Sequence, residues 1–127
     1  MTGPFRLLFL DVDGTLVAGK DELTPRTRAA LDRARQAGCT PVLCTGRSRY
    51  KSQGIADQIG GHGYGIVLNG GILYDWARRE VVRRTPMDAD IAHEAVRLTH
   101  AFELAPLCFA VEDDDRWVYT DLSLIHI

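Results

Sequence analysis

Two acids directly follow an apolar run near the start of the chain, in the segment Phe5–Leu16 (FRLLFLDVDGTL). The run is short, bounded and apolar on both faces, which predicts a buried central strand of a parallel sheet. Because side chains alternate along a strand, Asp11 and Asp13 would project to one side while Val12 points into the core. Ligands of parallel sheets bind at the carboxyl ends of strands, where both acids would lie.

Two neighbouring carboxylates at such a position suit phosphoryl transfer. Like charges this close repel, so the pair needs a cation or one protonated member. Mg2+ prefers carboxylate oxygens and is bound by few of them alongside substrate phosphate. One carboxylate could attack phosphorus, and the other, if its pKa is raised, could protonate the leaving oxygen. An acidic loop without chemistry also explains Asp-x-Asp alone, but Gly-Thr-Leu after an apolar strand favours a site.

A second set of polar residues follows the next predicted strand, Cys39–Cys44. Thr45 can donate its hydroxyl to a phosphate oxygen, Gly46 permits close backbone approach, and Arg47 offers a fork of donors. An N-capped turn into the helix Ser48–Ile59 is the alternative interpretation. Combined with the two acids, the phosphate interpretation is favoured.

The elements between these motifs follow from caps and periodicity. Thr24 and Pro25 predict the start of a helix, and Gly38 its end. Strand, helix and strand of this length imply a right-handed crossover that places the two strands side by side. A third short strand, Ile66–Leu68, ends at Asn69. The next segment predicts a hairpin, in which Ile72-Leu73-Tyr74 pairs with Val81-Val82.

Composition bounds the class of protein. The chain has 127 residues, 46% apolar and 25% charged, which fits one globular domain, or one domain plus part of another. A net charge of −2 gives no reason to expect nucleic acid or membrane as a partner. Residues 1–84 carry 13 basic and 8 acidic groups (+5), and residues 85–127 carry 2 and 9 (−7). This shift predicts a domain boundary near Thr85-Pro86, followed by a helix to about Glu103 and a two-stranded hairpin around an acidic turn.

Three cysteines, Cys39, Cys44 and Cys108, show no metal or redox spacing and are predicted to be reduced core thiols. Together with an N-terminal apolar run too short for a signal peptide, they favour a cytoplasmic protein. The sequence does not specify an oligomeric state.

The segment Asp11–Leu16 resembles the first motif of the haloacid dehalogenase superfamily of phosphohydrolases. The resemblance implies that Asp11 is the nucleophile and Asp13 the general acid/base. Gly14, at the turn that follows, is predicted to be one of the phosphate-binding residues. The resemblance also implies that Asp11 and the backbone carbonyl of Asp13 bind Mg2+. Thr45 resembles the second-motif residue of the superfamily, which contacts the phosphoryl group.

Two further likenesses narrow the subfamily. Thr-Gly-Arg is typical of members with a large cap inserted after the third strand. Asn-Gly-Gly before a hairpin resembles the Cof-type (type IIB) subfamily, in which Asn69 would line the cleft; a tight Asn-Gly turn is equally compatible. The implied fold is a Rossmann-like α/β core with a parallel sheet (residues 1–84), truncated, followed by the start of an α/β cap (residues 85–121).

The last six residues, 122–127, match the translated end of a sequencing adapter and are predicted to be a scar outside the fold. The resemblance then spans residues 5–121, the first half of a full-length family member. The lysine and the downstream acids of the family would lie beyond it, so we expect this chain by itself to be inactive. The strand that carries Asp11 would then be an open sheet edge.

The resemblance implies that the parent protein is a Mg2+-dependent phosphomonoester hydrolase that acts on a sugar phosphate or small phosphorylated metabolite. Two alternatives remain. One is a phosphosugar mutase of the same fold, which returns the phosphoryl group to the substrate. The other is a non-catalytic fragment that binds phosphate ligands without turnover.

Overall fold

The computed structural model describes residues 5–109 and 118–120. The chain divides into two compact units, Met1–Arg84 and Thr85–Ile127. Within the part of the chain that the structure describes, no helix has the length and apolarity that a membrane crossing requires. The predicted acidic turn and the six C-terminal residues lie outside the described residues.

A five-stranded sheet organises the first unit. Its strands are β1 (Leu7–Asp11), β2 (Thr40–Cys44), β3 (Tyr64–Val67), β4 (Ile72–Asp75) and β5 (Glu80–Arg84). They lie in this order across the sheet, with β1, β2 and β3 parallel and β4 and β5 added antiparallel. Helix α1 (Pro25–Gln36) connects β1 to β2, and helix α2 (Arg49–Gln58) connects β2 to β3. The predicted parallel α/β core and the β4–β5 hairpin are confirmed.

The caps that the sequence predicts begin both helices. The Thr24 hydroxyl accepts a hydrogen bond from the Thr27 N–H at 3.1 Å, and Pro25 occupies the first helical position. The Ser48 hydroxyl accepts from the Lys51 N–H at 3.3 Å at the start of α2. Gly38, at φ 89°, follows the end of α1, as a C-terminal glycine does.

The core of this unit lies around the inner strands and α2. Leu43, Ile55 and Val67 are buried side chains from β2, α2 and β3. Trp76 also lies in the core and packs against Gly65, where an added Cβ would come within 2.6 Å of the indole ring. Glycine is therefore required at that position of β3, because any larger residue would displace the tryptophan.

The first strand is not the buried central strand that its composition predicts. Among the described residues β1 pairs with β2 alone, so it forms an edge of the sheet. Leu7 is 50% and Phe9 58% exposed, while Leu8 and Leu10 are half-buried. An apolar strand is buried when it has a neighbouring strand on each side. Among the described residues β1 has only one neighbouring strand, β2. The expectation of an open edge is confirmed.

The second unit contains helix α3 (Ala89–Ala101) and strands β6 (Leu107–Phe109) and β7 (Val118–Thr120), which pair antiparallel. This is the predicted order of one helix and a hairpin. The apolar side chains of this helix are only partly covered. Ala92 and Thr99 are half-buried, whereas Ile91 is 60% and Leu98 46% exposed.

The three cysteines are unpaired, as predicted. Cys39 and Cys44 are half-buried, but Cys108 is exposed on β6, so the expectation of three core thiols is wrong for that residue. All three residues of β6 are exposed, so within the described residues this strand has no buried face that could cover the thiol.

Candidate active site

The carboxyl ends of three parallel strands meet at one edge of the first unit. β1 ends at Asp11, β2 ends just before Thr45, and a single turn of 3-10 helix, Leu68–Gly70, follows β3. A pocket of about 310 Å³ opens there, lined by Asp11, Cys44, Thr45, Gly46, Ile66, Asn69 and Gly70. Parallel sheets place ligand sites at this edge. The structure therefore brings together four of the predicted site residues: Asp11, Thr45, Gly46 and Asn69.

The turn after β1 is built around Val12. Its side chain is fully buried, and its carbonyl oxygen accepts from the N–H groups of Leu16 and Val17 at 3.0 and 3.1 Å. Asp11 and Asp13 flank it and are exposed, which confirms the predicted alternation. Gly14 has φ 76° and donates its N–H to the Val17 carbonyl at 2.9 Å. A left-handed residue is needed to turn the chain here, and glycine adopts that conformation without strain.

Asp11 projects into the pocket with one oxygen already held. The Thr15 hydroxyl donates a hydrogen bond to Asp11 Oδ2 at 3.1 Å. This contact restricts rotation of the carboxylate. The sequence contains Thr15 within the first motif, but an orienting role for it was not predicted, because a strand pattern does not show which side chains meet across a turn.

Thr45 and Gly46 form the second wall of the pocket. The Thr45 hydroxyl accepts from the Arg47 N–H at 3.1 Å and still carries its own proton, so it can donate to a ligand oxygen. Its backbone N–H donates to the Ile66 carbonyl at 3.0 Å, which ties the end of β2 to β3. A Cβ on Gly46 would lie 2.9 Å from Asn69 Oδ1, so glycine permits the close approach of the Asn69 side chain.

Asn69 sits in the left-handed conformation, with φ 52°. Asparagine tolerates this region better than most residues, which explains its place in the turn. Its N–H donates to the Thr45 carbonyl at 3.3 Å. The two predicted interpretations, a tight turn and a pocket wall, therefore both describe this residue.

Arg47 does not line the pocket with the other predicted phosphate ligands. Its Nε donates to Asp13 Oδ2 at 3.0 Å and its Nη2 to Asp13 Oδ1 at 2.5 Å. Its Nη1 donates to Asp21 Oδ1 at 2.8 Å. The guanidinium is thus shared by two carboxylates in the described arrangement. The sequence predicted donors for phosphate and did not indicate Asp21, which lies in the loop after the first motif and belongs to no motif itself.

The Arg47 contact sets the charge of Asp13. Hydrogen bonds from the guanidinium hold the pKa of the Asp13 carboxyl below its ordinary value, and the opposite charge acts in the same direction. The condition that a proton donor needs, a raised pKa, is therefore not met by Asp13 in this arrangement. The repulsion between neighbouring acids is relieved here by an arginine side chain.

Cys44 is a pocket residue that motif reasoning did not include. Burial raises the pKa of its thiol, and the nearby charge of Asp11 acts in the same direction. The thiol therefore stays neutral and presents a small apolar surface beside Asp11.

The oxygen atoms available as metal ligands in the described residues make up only part of a Mg2+ site. The carboxylate of Asp11 and the carbonyl of Asp13 offer the oxygen ligands that this ion prefers. No cluster of three His, Cys, Asp or Glu side chains suited to a metal ion occurs in residues 5–109 and 118–120. Because Arg47 holds the Asp13 carboxylate, the described residues offer two oxygens, and waters, substrate oxygens and further protein ligands would fill the other positions of the ion.

The profile of the haloacid dehalogenase-like hydrolases matches residues 8–125. The chain belongs to this family. Among curated relatives, it is 31% identical over 114 residues to the pyridoxal phosphate phosphatase of Escherichia coli, covering 90% of this chain and 41% of that protein. It is 35% identical over 96 residues to the HMP-PP phosphatase of Serratia proteamaculans, covering 76% of this chain and 34% of that protein.

The fold of this chain is similar to that of solved structures of other proteins. A phosphatase of the haloalkanoate (HAD) enzyme superfamily from Bacteroides thetaiotaomicron aligns with a TM-score of 0.76 at 24% identity, covering 92% of this chain and 41% of that structure. A haloacid dehalogenase-like hydrolase from Bacillus subtilis aligns with a TM-score of 0.72 at 21% identity, covering 84% and 37%. The predicted family and its Rossmann-like core are therefore confirmed. The chain spans less than half the length of these relatives.

Proposed function

We propose that the protein containing this segment hydrolyses a phosphomonoester, with Mg2+ as cofactor and an aspartyl-phosphate on Asp11 as intermediate. The observation that carries the proposal is the pocket at the carboxyl ends of the parallel strands, which contains Asp11, Thr45, Gly46 and Asn69. Membership of a hydrolase family and relatives named as phosphatases support it.

In the first step Asp11 would attack phosphorus. A bond forms between the carboxylate oxygen and phosphorus, the bond from phosphorus to the leaving oxygen breaks, and that oxygen takes a proton from Asp13. Thr45 donates its hydroxyl proton in a hydrogen bond to a phosphoryl oxygen, and Gly46 allows close backbone approach. Bound Mg2+ would neutralise charge on the transferring group.

In the second step Asp13 would take a proton from water, which attacks the aspartyl-phosphate and releases phosphate and the Asp11 carboxylate. The described contact with Arg47 suits this step, because it keeps Asp13 ionised. The first step needs the protonated form, so Arg47 must loosen its hold on Asp13 as substrate binds. An arriving phosphate dianion would favour this, because it competes for the guanidinium and repels the carboxylate.

The substrate class is a sugar phosphate or small phosphorylated metabolite, in keeping with relatives named for pyridoxal phosphate and HMP-PP. A cytoplasmic location, and the absence of nucleic-acid and membrane partners, stay predictions from the composition. So do the division into core and cap and the roles of the site residues.

A non-catalytic phosphate-binding segment is the second candidate. The incomplete set of oxygen donors in the described residues favours it for this chain taken alone. It predicts that inorganic phosphate binds without turnover of any ester at high Mg2+. A mutase would instead yield an isomeric phosphate ester, which distinguishes it from release of free phosphate.

The nucleophile is tested by Asp11→Asn in a full-length protein that carries this segment. The amide fills the same space but is a poor nucleophile, so phosphate release should fall by about three orders of magnitude or more while the fold persists. Acid-quenched mass spectrometry should show a phosphorylated Asp11 peptide in the parent and none in the variant. Asp32→Asn, on the surface of α1, is the matched control and should keep full activity. Steady turnover by Asp11→Asn would contradict the assignment.

A further inference from the structure

The side chain of Gln58 ties the loop after the first motif to the end of α2. Its Nε2 donates to the Asp21 carbonyl at 2.6 Å, and its Oε1 accepts from the Leu23 N–H at 3.0 Å. Oε1 also accepts from Arg28 Nη2 at 2.7 Å, and Nε2 donates to the Gly54 carbonyl at 3.1 Å. These four bonds use the full hydrogen-bonding capacity of a primary amide. The loop backbone is therefore held on both sides of Glu22.

The same loop presents Asp21 to Arg47. Arg47 Nη1 contacts Asp21, while Nε and Nη2 contact Asp13. Because the guanidinium is planar and rigid, fixing one of its edges fixes the direction of the other. Restraining Asp21 therefore also restrains the edge of the Arg47 guanidinium that faces Asp13.

Charge attraction alone does not account for this geometry. The side chains of Asp13 and Asp21 are 61% and 63% exposed, and exposed ion pairs contribute little because water screens them and both partners lose conformational freedom. Holding the Asp21 backbone in advance removes part of that entropic cost. Gln58, at the end of α2, supplies this restraint. It is itself held in place because Ile55 and Ile59, close to it in sequence, are buried in the core.

We propose that Gln58 and Asp21 are positioning residues for Arg47: Gln58 fixes the loop, Asp21 fixes one edge of the guanidinium, and the other edge is thereby directed at Asp13. The significance of this arrangement for catalysis rests on the proposed function, since it assumes that Asp13 is the acid/base. The arrangement itself is a property of residues 13–58 and can be tested without any substrate.

The test is NMR of arginine side chains in the 127-residue chain, with the Arg47 Nε–H signal assigned by its loss in Arg47→Lys. The measured quantity is the rate at which the Arg47 Nε proton exchanges with water. This proton exchanges slowly while it is hydrogen-bonded to the Asp13 carboxylate. Asp21→Asn and Gln58→Leu should each raise this rate about fivefold, the upper end for loss of one exposed ion pair. Asp21→Glu, which retains the charge, should restore part of the protection.

Gln53→Leu is the matched control, because Gln53 lies on the same helix and its Nε2 donates to the Asp57 side chain, at 2.9 Å, rather than to the loop. It should leave the Arg47 exchange rate unchanged. Gln58→Glu guards against misfolding of Gln58→Leu, since it keeps the acceptor for Leu23 but lacks the donor for Asp21; it too should raise the rate.

Unchanged exchange at Arg47 in folded Asp21→Asn, or in folded Gln58→Glu, would overturn the proposal. Asp21 would then be a surface charge and Gln58 a residue that only closes the end of α2. Neither result depends on phosphatase activity, so failure of this inference and failure of the proposed function are distinguishable.

Discussion

At the scale of single residues, the contact between Arg47 and Asp13 matters most for chemistry, because the same carboxylate is proposed to give up and take back a proton. Arg47 makes three of its hydrogen bonds to Asp13 and one to Asp21. An acid held in this way is a good base and a poor proton donor. Substrate binding has to change the contact before the first proton can move.

The titration of Asp13 follows from this contact. Its pKa should lie below the ordinary value of 3.8 in the wild-type chain and rise in Arg47→Met, where the hydrogen bonds are lost. Because the folded pKa is depressed, the stability that the pair contributes is present above pH 3.8 and is lost as pH falls through the folded pKa. Carboxyl-detected NMR titration measures both pKa values. A wild-type pKa at or above that of Arg47→Met would contradict the expectation.

Two glycines give a matched pair of substitutions with opposite expected signs. Gly46→Ala places a Cβ 2.9 Å from Asn69 Oδ1 and should destabilise the first unit by about 1–3 kcal/mol. Gly54→Ala meets no heavy atom within 4 Å and lies inside α2, so it should stabilise by about 0.5–1 kcal/mol.

Urea denaturation of the two alanine variants measures these differences. If the Asn69 side chain is the cause, adding Asn69→Gly should recover most of the loss in Gly46→Ala, because glycine removes the contact and adopts φ 52° without strain. No recovery in the double variant would show that the cost arises elsewhere in the turn.

At the scale of elements, the sequence predicted what local chemistry determines. Thr24 and Ser48 begin the helices as expected because capping depends on nearby backbone N–H groups. The predicted bounds of the third strand, Ile66–Leu68, are wrong, because β3 runs over Tyr64–Val67 and Leu68 belongs to a 3-10 turn that was not predicted. That turn contains Leu68 and Asn69, both at positive φ, and nothing in a leucine indicates a left-handed conformation.

The candidate site likewise contains residues that the sequence could predict and contacts that it could not. Asp11, Thr45, Gly46 and Asn69 could be predicted to meet because each follows a parallel strand, and strand ends share an edge. The partners of Arg47 could not, since Asp21 reaches it only through a loop conformation that Gln58 holds. Contacts of this kind depend on tertiary packing and leave no periodic signal in the chain.

For the chain as a whole, the exposed edge at β1 is the feature that we expect to govern behaviour in solution. Phe5, Leu7 and Phe9 are all at least half exposed, and the outer edge of β1 has no strand partner among the described residues. An open apolar edge is a template for another chain. We expect the 127-residue chain to self-associate through this strand.

Charge placed on β1 should prevent that association. Phe9→Lys should shift the chain towards monomer in sedimentation velocity, because a lysine on an edge strand opposes pairing with a second copy. Val82→Lys is the matched control: Val82 is 51% exposed on β5, the opposite edge of the same sheet. A wild-type chain that stays monomeric at high concentration, or equal effects of both substitutions, would show that β1 is not the contact.

The packing of Trp76 against Gly65 gives the first unit its own optical signal. The indole is 3% exposed and its Nε1 has no hydrogen-bond partner within the described residues. An indole in such surroundings emits at shorter wavelength than one in water, because no solvent dipoles reorient around its excited state. Substituting Trp117, the other tryptophan of the chain, would leave Trp76 as the only emitter. A red shift of its emission would then report that Trp76, directly after β4, has separated from Gly65 on β3. The intrinsic fluorescence of that variant can thus follow the sheet that carries the candidate site, with no added dye.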